Sequence, residues 1–313
     1  MGRELASRCA SAKAVFEMAD DIMATPLTRI MWEGPEAALR ETVFTQPAIL
    51  AHSLALLATI HEIYGEVIPA VVAGHSLGEY SALVAAGVLT PCAALRIVKR
   101  RGELMHRAGE TRQGAMAAVL GLDTPGVLHV LEAAQGAGIV VAANLNAPDQ
   151  TVISGVPVAV DEAMKLAFEA GAARVVPLAV SGAFHSPLMA GVASELASVV
   201  HSVEFAEPAC PVVPNVTGAL TTSPAELRRC LLLQIESPVR WCDSMRAMAG
   251  SGTRTFLELG PGRVLAGLAK RIDRSVSVRS VSDLDALTTW DGFRESPRQE
   301  GLTIEGKEKR RDA

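Results

Sequence analysis

Gly74-His75-Ser76-Leu77-Gly78 is the segment of this 313-residue sequence whose residue types and spacing most directly specify chemistry. The apolar run Val67-Ile68-Pro69-Ala70-Val71-Val72-Ala73 precedes it and the helix-forming stretch Glu79 to Ala86 follows. Glycines two residues either side of a serine, between a buried strand and a helix, make a nucleophile elbow. The expected turn is sharp, strains Ser76 and exposes its hydroxyl, and the two glycines let the backbone pass closely. It sets the hydroxyl at a helix N-terminus, where the Leu77 N–H faces any oxyanion that forms. Without its flanks the same pattern in a Gly- and Ser-rich chain is a weak signal that chance also produces.

A serine nucleophile needs a base. Of seven histidines, His75 adjoins Ser76 but its side chain should diverge on the turn. His52, His61 and His129 fall in helical patterns, and His201 in an undistinguished helix end. His185 stands in Val180-Ser181-Gly182-Ala183-Phe184-His185-Ser186-Pro187, a small-residue loop suited to a base between two domains. The residues alone leave that assignment open. Arg101, within Lys99-Arg100-Arg101, reads on the same terms as a solvated helix residue.

The elements that position these groups read as α/β. Val15, Phe16, Ala19 and Ile22 recur at helical spacing, and Pro47 opens an apolar helix to Ile63 with Thr45 as N-cap. Gly87 caps the helix after the elbow, and Thr90 with Pro91 starts the next, to about Ala108. Residues 114–180 then read as β-α-β-β-α-β: strands over 115–120, 139–144, 151–154 and 174–178, helices over 124–134 and 158–170. That order is the ferredoxin-like module, here inserted in a larger parallel-sheet domain of residues 1–113 and 181–287. The larger domain resumes with Val212-Val213 as a strand, a helix over 224–233, a strand over 255–258 and a helix over 264–270. A polar, charged tail over 288–313 is expected to be disordered.

Composition narrows the function classes. Half the residues are apolar (49%) and 20% are charged, enough for a large core. Net charge is −5, so no basic excess holds nucleic acid or an anionic membrane. No stretch reaches the roughly 18 to 20 uncharged apolar residues of a membrane span, and the first residues lack a signal-peptide core. Cys9, Cys92, Cys210, Cys230 and Cys242 show no C-x-x-C spacing, which favours a reducing compartment over a disulfide framework or metal cluster. The expected setting is cytoplasmic. His61-Glu62 begins like a zinc helix but has Gly65 where the second ligand belongs. Gly136-Ala137-Gly138 precedes a strand, the wrong order for a dinucleotide loop. Asn215-Val216-Thr217 matches a glycosylation acceptor only in a secreted protein.

Gly74-His75-Ser76-Leu77-Gly78-Glu79-Tyr80-Ser81-Ala82-Leu83 resembles the active-site segment of malonyl-CoA:acyl carrier protein transacylases and of the related polyketide synthase acyltransferase domains. Thr45-Gln46-Pro47-Ala48, Arg101-Gly102, Gly114-Ala115-Met116, Gly182-Ala183-Phe184-His185-Ser186 and Glu258-Leu259-Gly260-Pro261-Gly262 match further family segments in order, over roughly residues 1–287. The resemblance implies an α/β-hydrolase-like large domain. It implies that Ser76 becomes malonylated by malonyl-CoA and that His185 moves the protons. A main-chain carbonyl would orient His185, and the matching position is Gln234. Arg101 would bind the malonyl carboxylate, Phe184 resembles malonyl-selective members, and Gln46 and Asn146 would line the pocket.

The implied partner is a phosphopantetheinylated acyl carrier protein, met by a monomer needing no cofactor or metal. Lys99, Arg100, Lys270, Arg271 and Arg274 are candidates for docking that acidic partner. The family begins with a buried strand and a Gly-Gln-Gly-Ser-Gln loop whose Gln is the second oxyanion donor, and Met1 to Leu5 aligns just after that loop. Loss of such a donor costs about 100- to 1,000-fold in rate. The expectation is a true start upstream of Met1, so that restoring the upstream codons raises solubility and activity together. The alternatives are an esterase, which would place an acidic residue between Ser and His, a hydrolytic editing relative, which typically replaces the Arg, and an impaired carrier-binding scaffold.

Overall fold

The computed structural model describes residues 1–111, 114–180 and 182–289. The expected tail from residue 290 onward and the junction residues Arg112, Gln113 and Ser181 lie outside them.

The helix Thr42–Tyr64 is the axis of the larger core, packed against Ala10–Met23 and Pro91–Thr111. It is apolar all round, as a fully enclosed helix must be: Ala48, Leu50, Ala51, Leu54, Ala55, Leu56 and Ile60 are all buried. By length and composition alone it would suffice to cross a membrane, contrary to the sequence expectation. However, 67% of its most apolar window is buried inside the fold, so its hydropathy is that of a core helix. The helix also starts earlier than expected. Pro47 lies inside it and Thr45 is no cap, its hydroxyl donating instead to the Leu39 carbonyl. The unpaired N–H groups of a first turn need no intrahelical acceptor, and Pro47 follows soon after that turn.

His52 sits in this helix, 1% exposed, with no well-formed hydrogen bond at either ring nitrogen among the described residues. Burial holds its pKa at about 4. The unfolded chain takes up a proton near pH 6.5 that the folded chain refuses until about pH 4. Stability is therefore full above pH 6.5 and is lost as the pH falls through that window, with His52's share on the order of 3 kcal/mol. His52→Leu should flatten the fall in Tm between pH 7 and pH 4.5; an unchanged slope would contradict this assignment.

The expected buried strand over 67–73 contracts to β1, Val72–Ala73, and Ile68 is exposed. β1 finds one ladder partner among the described residues, β6 (Val212–Val213), in parallel register Val72 to Val212 and Ala73 to Val213. Pro69 has no N–H to extend the ladder. A second parallel pair joins β7 (Thr255–Leu259) to β8 (Ser277–Val281), so the parallel strands form two separate pairs rather than one sheet.

Residues 115–177 follow the expected element order closely. The strands are β2 (Ala115–Leu120), β3 (Val140–Ala147), β4 (Gln150–Gly155) and β5 (Arg174–Pro177), with helices Thr124–Ala134 and Pro157–Glu169. They make one antiparallel sheet in the order β3-β4-β2-β5. One face packs Val119, Val140 and Ile153 against Val127, Leu131, Val160 and Ala163 of the two helices, a core separate from the larger one. On the other face Met116, Ala143 and Val152 meet Phe184. β3 also exchanges hydrogen bonds with Val239, Leu145 N–H to Val239 O at 2.9 Å and Val239 N–H to Ala143 O at 2.9 Å. This ties the four-stranded sheet to the segment 234–240 of the larger body. Helices Ala190–His201 and Trp241–Gly250 and strand β8 went unread in the sequence.

Candidate active site

The elbow forms between β1 and the helix Gly78–Ala85. Ser76 has φ +50°, the left-handed region a side chain enters at a cost. Gly74 is required by contact: a Cβ there would lie 1.9 Å from the Gly78 carbonyl oxygen. Gly78 itself faces open space, so the close approach rests on Gly74 rather than on both glycines. Two side chains hold the strained turn through three hydrogen bonds. Asn215 Oδ1 accepts from the Ser76 N–H at 2.7 Å and its Nδ2 donates to the Gly74 carbonyl at 2.6 Å. Gln234 Nε2 donates to the Ser76 carbonyl at 2.9 Å. His75 diverges as expected, bonded through Nε2 to Asn146 Oδ1 at 2.8 Å and tilted against the Trp241 ring.

His185 is brought to this turn from a segment more than 100 residues further along the chain. The loop after β5 places it at φ +56°, with its N–H donating to the Ile235 carbonyl at 3.1 Å. Its Nε2 lies 2.7 Å from Ser76 Oγ. Nδ1 faces two main-chain oxygens, Gln234 O at 3.0 Å and Ser237 O at 3.2 Å. Carbonyl oxygens only accept, so Nδ1 carries the ring proton and Nε2 presents a lone pair to the serine hydroxyl. Burial, and then the Arg101 charge, hold the His185 pKa at about 3. The ring is therefore neutral near pH 7. This arrangement can take the Ser76 proton and aim the oxygen at a carbonyl carbon. The Leu77 N–H, one residue on, meets no acceptor among the described residues.

Arg101 corrects the solvated reading of its basic run. It is 2% exposed, on the face of the Pro91–Thr111 helix that also buries Ile97, Val98, Leu104 and Met105. A Cβ on Gly102 would lie 3.1 Å from the Thr42 carbonyl, so glycine lets this helix approach the start of Thr42–Tyr64. There Arg101 Nη1 donates to Gln46 Oε1, while Gln46 Nε2 donates to Met105 Sδ at 3.2 Å. Arg101 Nη2 donates to Ser76 Oγ at 3.0 Å and, more weakly, to Gln234 Oε1 at 3.5 Å. The guanidinium forms no ion pair among the described residues, and its Nε is buried without a partner. It is a desolvated cation held by neutral acceptors beside the nucleophile, a costly state unless an anion joins it.

Phe184 packs between the larger core and the four-stranded sheet, next to His185. Asn146 reaches the site only through His75. Two site residues escaped the sequence. Asn215, which matched only a glycosylation pattern, is 1% exposed and cannot carry a glycan as folded. Its place just past β6, beside the C-terminal end of β1, is where open parallel sheets collect functional groups. Glu79, three residues after the nucleophile and so one helical turn along, is also 1% exposed, with its pKa raised to about 7 by burial. Glu62 of the zinc-like pair instead accepts from the Ser11 N–H and hydroxyl. Among the described residues no three His, Cys, Asp or Glu side chains are grouped to hold a metal.

The fold and site together fit a serine-centred acyl-transfer class: an elbow serine, a carbonyl-oriented histidine and a buried arginine beside the serine. Residues 1–290 match the model of the acyl transferase domain family, and the chain belongs to that family. It is 41% identical over 288 residues to the malonyl CoA-acyl carrier protein transacylase of Bacillus subtilis, covering 92% of this chain and 90% of that one. It is 40% identical to the protein of that name from Haemophilus influenzae, covering 89% of each chain. Among solved structures it resembles an acyl carrier protein S-malonyltransferase from Vibrio cholerae, with TM-score 0.87, 39% identity and 91% and 92% coverage. It also resembles a malonyl-transacylase in complex with its type II PKS acyl-carrier protein, with TM-score 0.88, 40% identity and 92% and 93% coverage.

Proposed function

We propose that this chain moves a malonyl group from malonyl-CoA to the phosphopantetheine thiol of an acyl carrier protein, through a malonyl ester on Ser76. The observation that carries it is Arg101: a buried guanidinium without an ion pair among the described residues, one hydrogen bond from Ser76 Oγ at 3.0 Å. A malonyl group brings a carboxylate a few bonds from the carbonyl under attack, and the planar fork of Arg matches it with two parallel hydrogen bonds.

In the first half-reaction Ser76 Oγ attacks the thioester carbon while its proton passes to His185 Nε2. The Leu77 N–H stabilises the oxyanion. Collapse breaks the C–S bond, and the imidazolium returns its proton to the leaving thiolate. In the second half-reaction neutral His185 takes the proton of the carrier's thiol, the sulfur attacks the ester carbon, and Ser76 Oγ leaves with that proton. Gln234 O and Ser237 O keep the ring in one tautomer throughout. The thioester is already activated, so the transfer needs no cofactor.

Residues 1–113 with 181–287 form, on the same reading, an α/β-hydrolase-like domain, and 114–180 an inserted ferredoxin-like one. Support comes from the β3-β4-β2-β5 order and the separate core of the insert. Of the expected docking cations, Lys99 caps the Ile22 carbonyl, Arg100 pairs with Glu103 and Glu195, and Arg271 pairs with Asp149. Lys270 and Arg274 carry no ion pair among the described residues and are the better candidates. A CoA-dependent enzyme with five free cysteines suits the cytoplasm.

Transfer to a carrier protein tests the whole proposal. Incubated with malonyl-CoA and this chain, a phosphopantetheinylated carrier should gain one malonyl group and the same carrier without the arm should gain none. Equal, unmodified carriers in both arms would refute it.

A further inference from the structure

Glu79 is a buried carboxyl group of the site that the transfer chemistry leaves without a task. Its Oε2 accepts from the Asn215 N–H at 3.0 Å and from Gln234 Nε2 at 2.9 Å. These two residues hold both the nucleophile's turn and the base's ring. Asn215 clamps the elbow from both sides, at the Ser76 N–H and the Gly74 carbonyl. Gln234 holds the Ser76 carbonyl with its side chain and the His185 ring with its own carbonyl. Gln234 has two amide hydrogens and spends one on Ser76 O and the other on Glu79, so these two acceptors set its rotation, with only the weak 3.5 Å bond from Arg101 on its Oε1 besides, among the described residues. One carboxylate oxygen thus joins the mounting of the nucleophile to the mounting of the base, across more than 130 residues of sequence.

We propose that Glu79 is a positioning residue: its Oε2, seated between Asn215 and Gln234, sets the Ser76–His185 geometry through those two side chains without touching substrate. What matters is an acceptor oxygen at that place. Side-chain length is critical and formal charge is secondary. The inference rests on the Ser76–His185 pair of the proposed function but not on the identity of the acyl group.

Three substitutions separate length from charge. Glu79→Gln keeps an acceptor oxygen at the same reach and removes the charge. Glu79→Asp keeps the charge and withdraws the oxygen by one methylene. Glu79→Ala removes both. The first readout is the rate at which a fluorophosphonate labels the folded protein. In that step Ser76 Oγ bonds to phosphorus, fluoride leaves, and the serine proton passes to His185. The second is the rate of malonylation at saturating malonyl-CoA.

Glu79→Gln should stay within about threefold of the parent in both. Glu79→Asp and Glu79→Ala should fall at least tenfold, toward the roughly 100-fold that a 1 Å misplacement costs, with KM changing little. Rates for Glu79→Asp equal to the parent, or for Glu79→Gln as low as for Glu79→Ala, would overturn the proposal. So would a rise in KM at constant kcat. If Glu79→Ala does not fold, the Asp and Gln pair decides alone. Parent protein that reacts with the fluorophosphonate in the predicted ranking but takes no malonyl group would instead overturn the substrate assignment.

Discussion

Removal of the base, as His185→Ala, is expected to slow malonylation of the enzyme by about 100- to 10,000-fold, the usual span for a positioned general base. The structure gives three reasons for a large effect. Nε2 is 2.7 Å from Ser76 Oγ, the ring is neutral near pH 7, and two carbonyls fix its tautomer. Binding of malonyl-CoA should change little, because in the proposed function the carboxylate goes to Arg101 and not to the ring. Ser76 and His185 act as a unit, so the double variant with Ser76→Ala should be no slower than Ser76→Ala alone. Rapid-quench measurement of the acyl-enzyme checks both statements. A loss below tenfold in His185→Ala would mean that another group takes the proton.

Arg101→Ala should cost malonyl-CoA far more than acetyl-CoA. Truncating one partner of a buried charged pair costs about 2 to 5 kcal/mol, which is roughly 30- to 5,000-fold in kcat/KM. Acetyl-CoA has no carboxylate to strand, so its rate should hold or rise once an uncompensated buried cation is gone. Arg101→Lys should recover only part of the malonyl rate. A point charge on a flexible stem replaces a planar fork that also bonds Gln46 and Ser76. Competition between the two thioesters, read as a ratio of kcat/KM values, checks this. An unchanged ratio in Arg101→Ala would remove Arg101 from acyl recognition.

Local chemistry was readable in the sequence, and long-range pairing was not. The elbow, the Gly87 cap and the β-α-β-β-α-β order followed from spacing and turn residues, because those signals act over a few positions. β1 was overread because an apolar run shows that a segment is buried but not whether a neighbouring strand lies within reach. Arg101 was ambiguous for a related reason: Lys99, Arg100 and Arg101 are alike in composition, and only the helix phase and the approach allowed at Gly102 bury the third. The family resemblance resolved that ambiguity where composition did not. Asn215 and Glu79 stayed hidden because each works by a contact more than 130 residues away in the chain. Neither residue type at its position signals such a contact in advance.

The most direct measurement is the intact mass of the protein after brief exposure to malonyl-CoA, with peptide mapping of the adduct. One malonyl group per chain, on the peptide that carries Ser76 and absent from Ser76→Ala, is the predicted result. A folded protein that gains no mass, or a Ser76→Ala variant that still gains it, would contradict the central claim that Ser76 carries the acyl group.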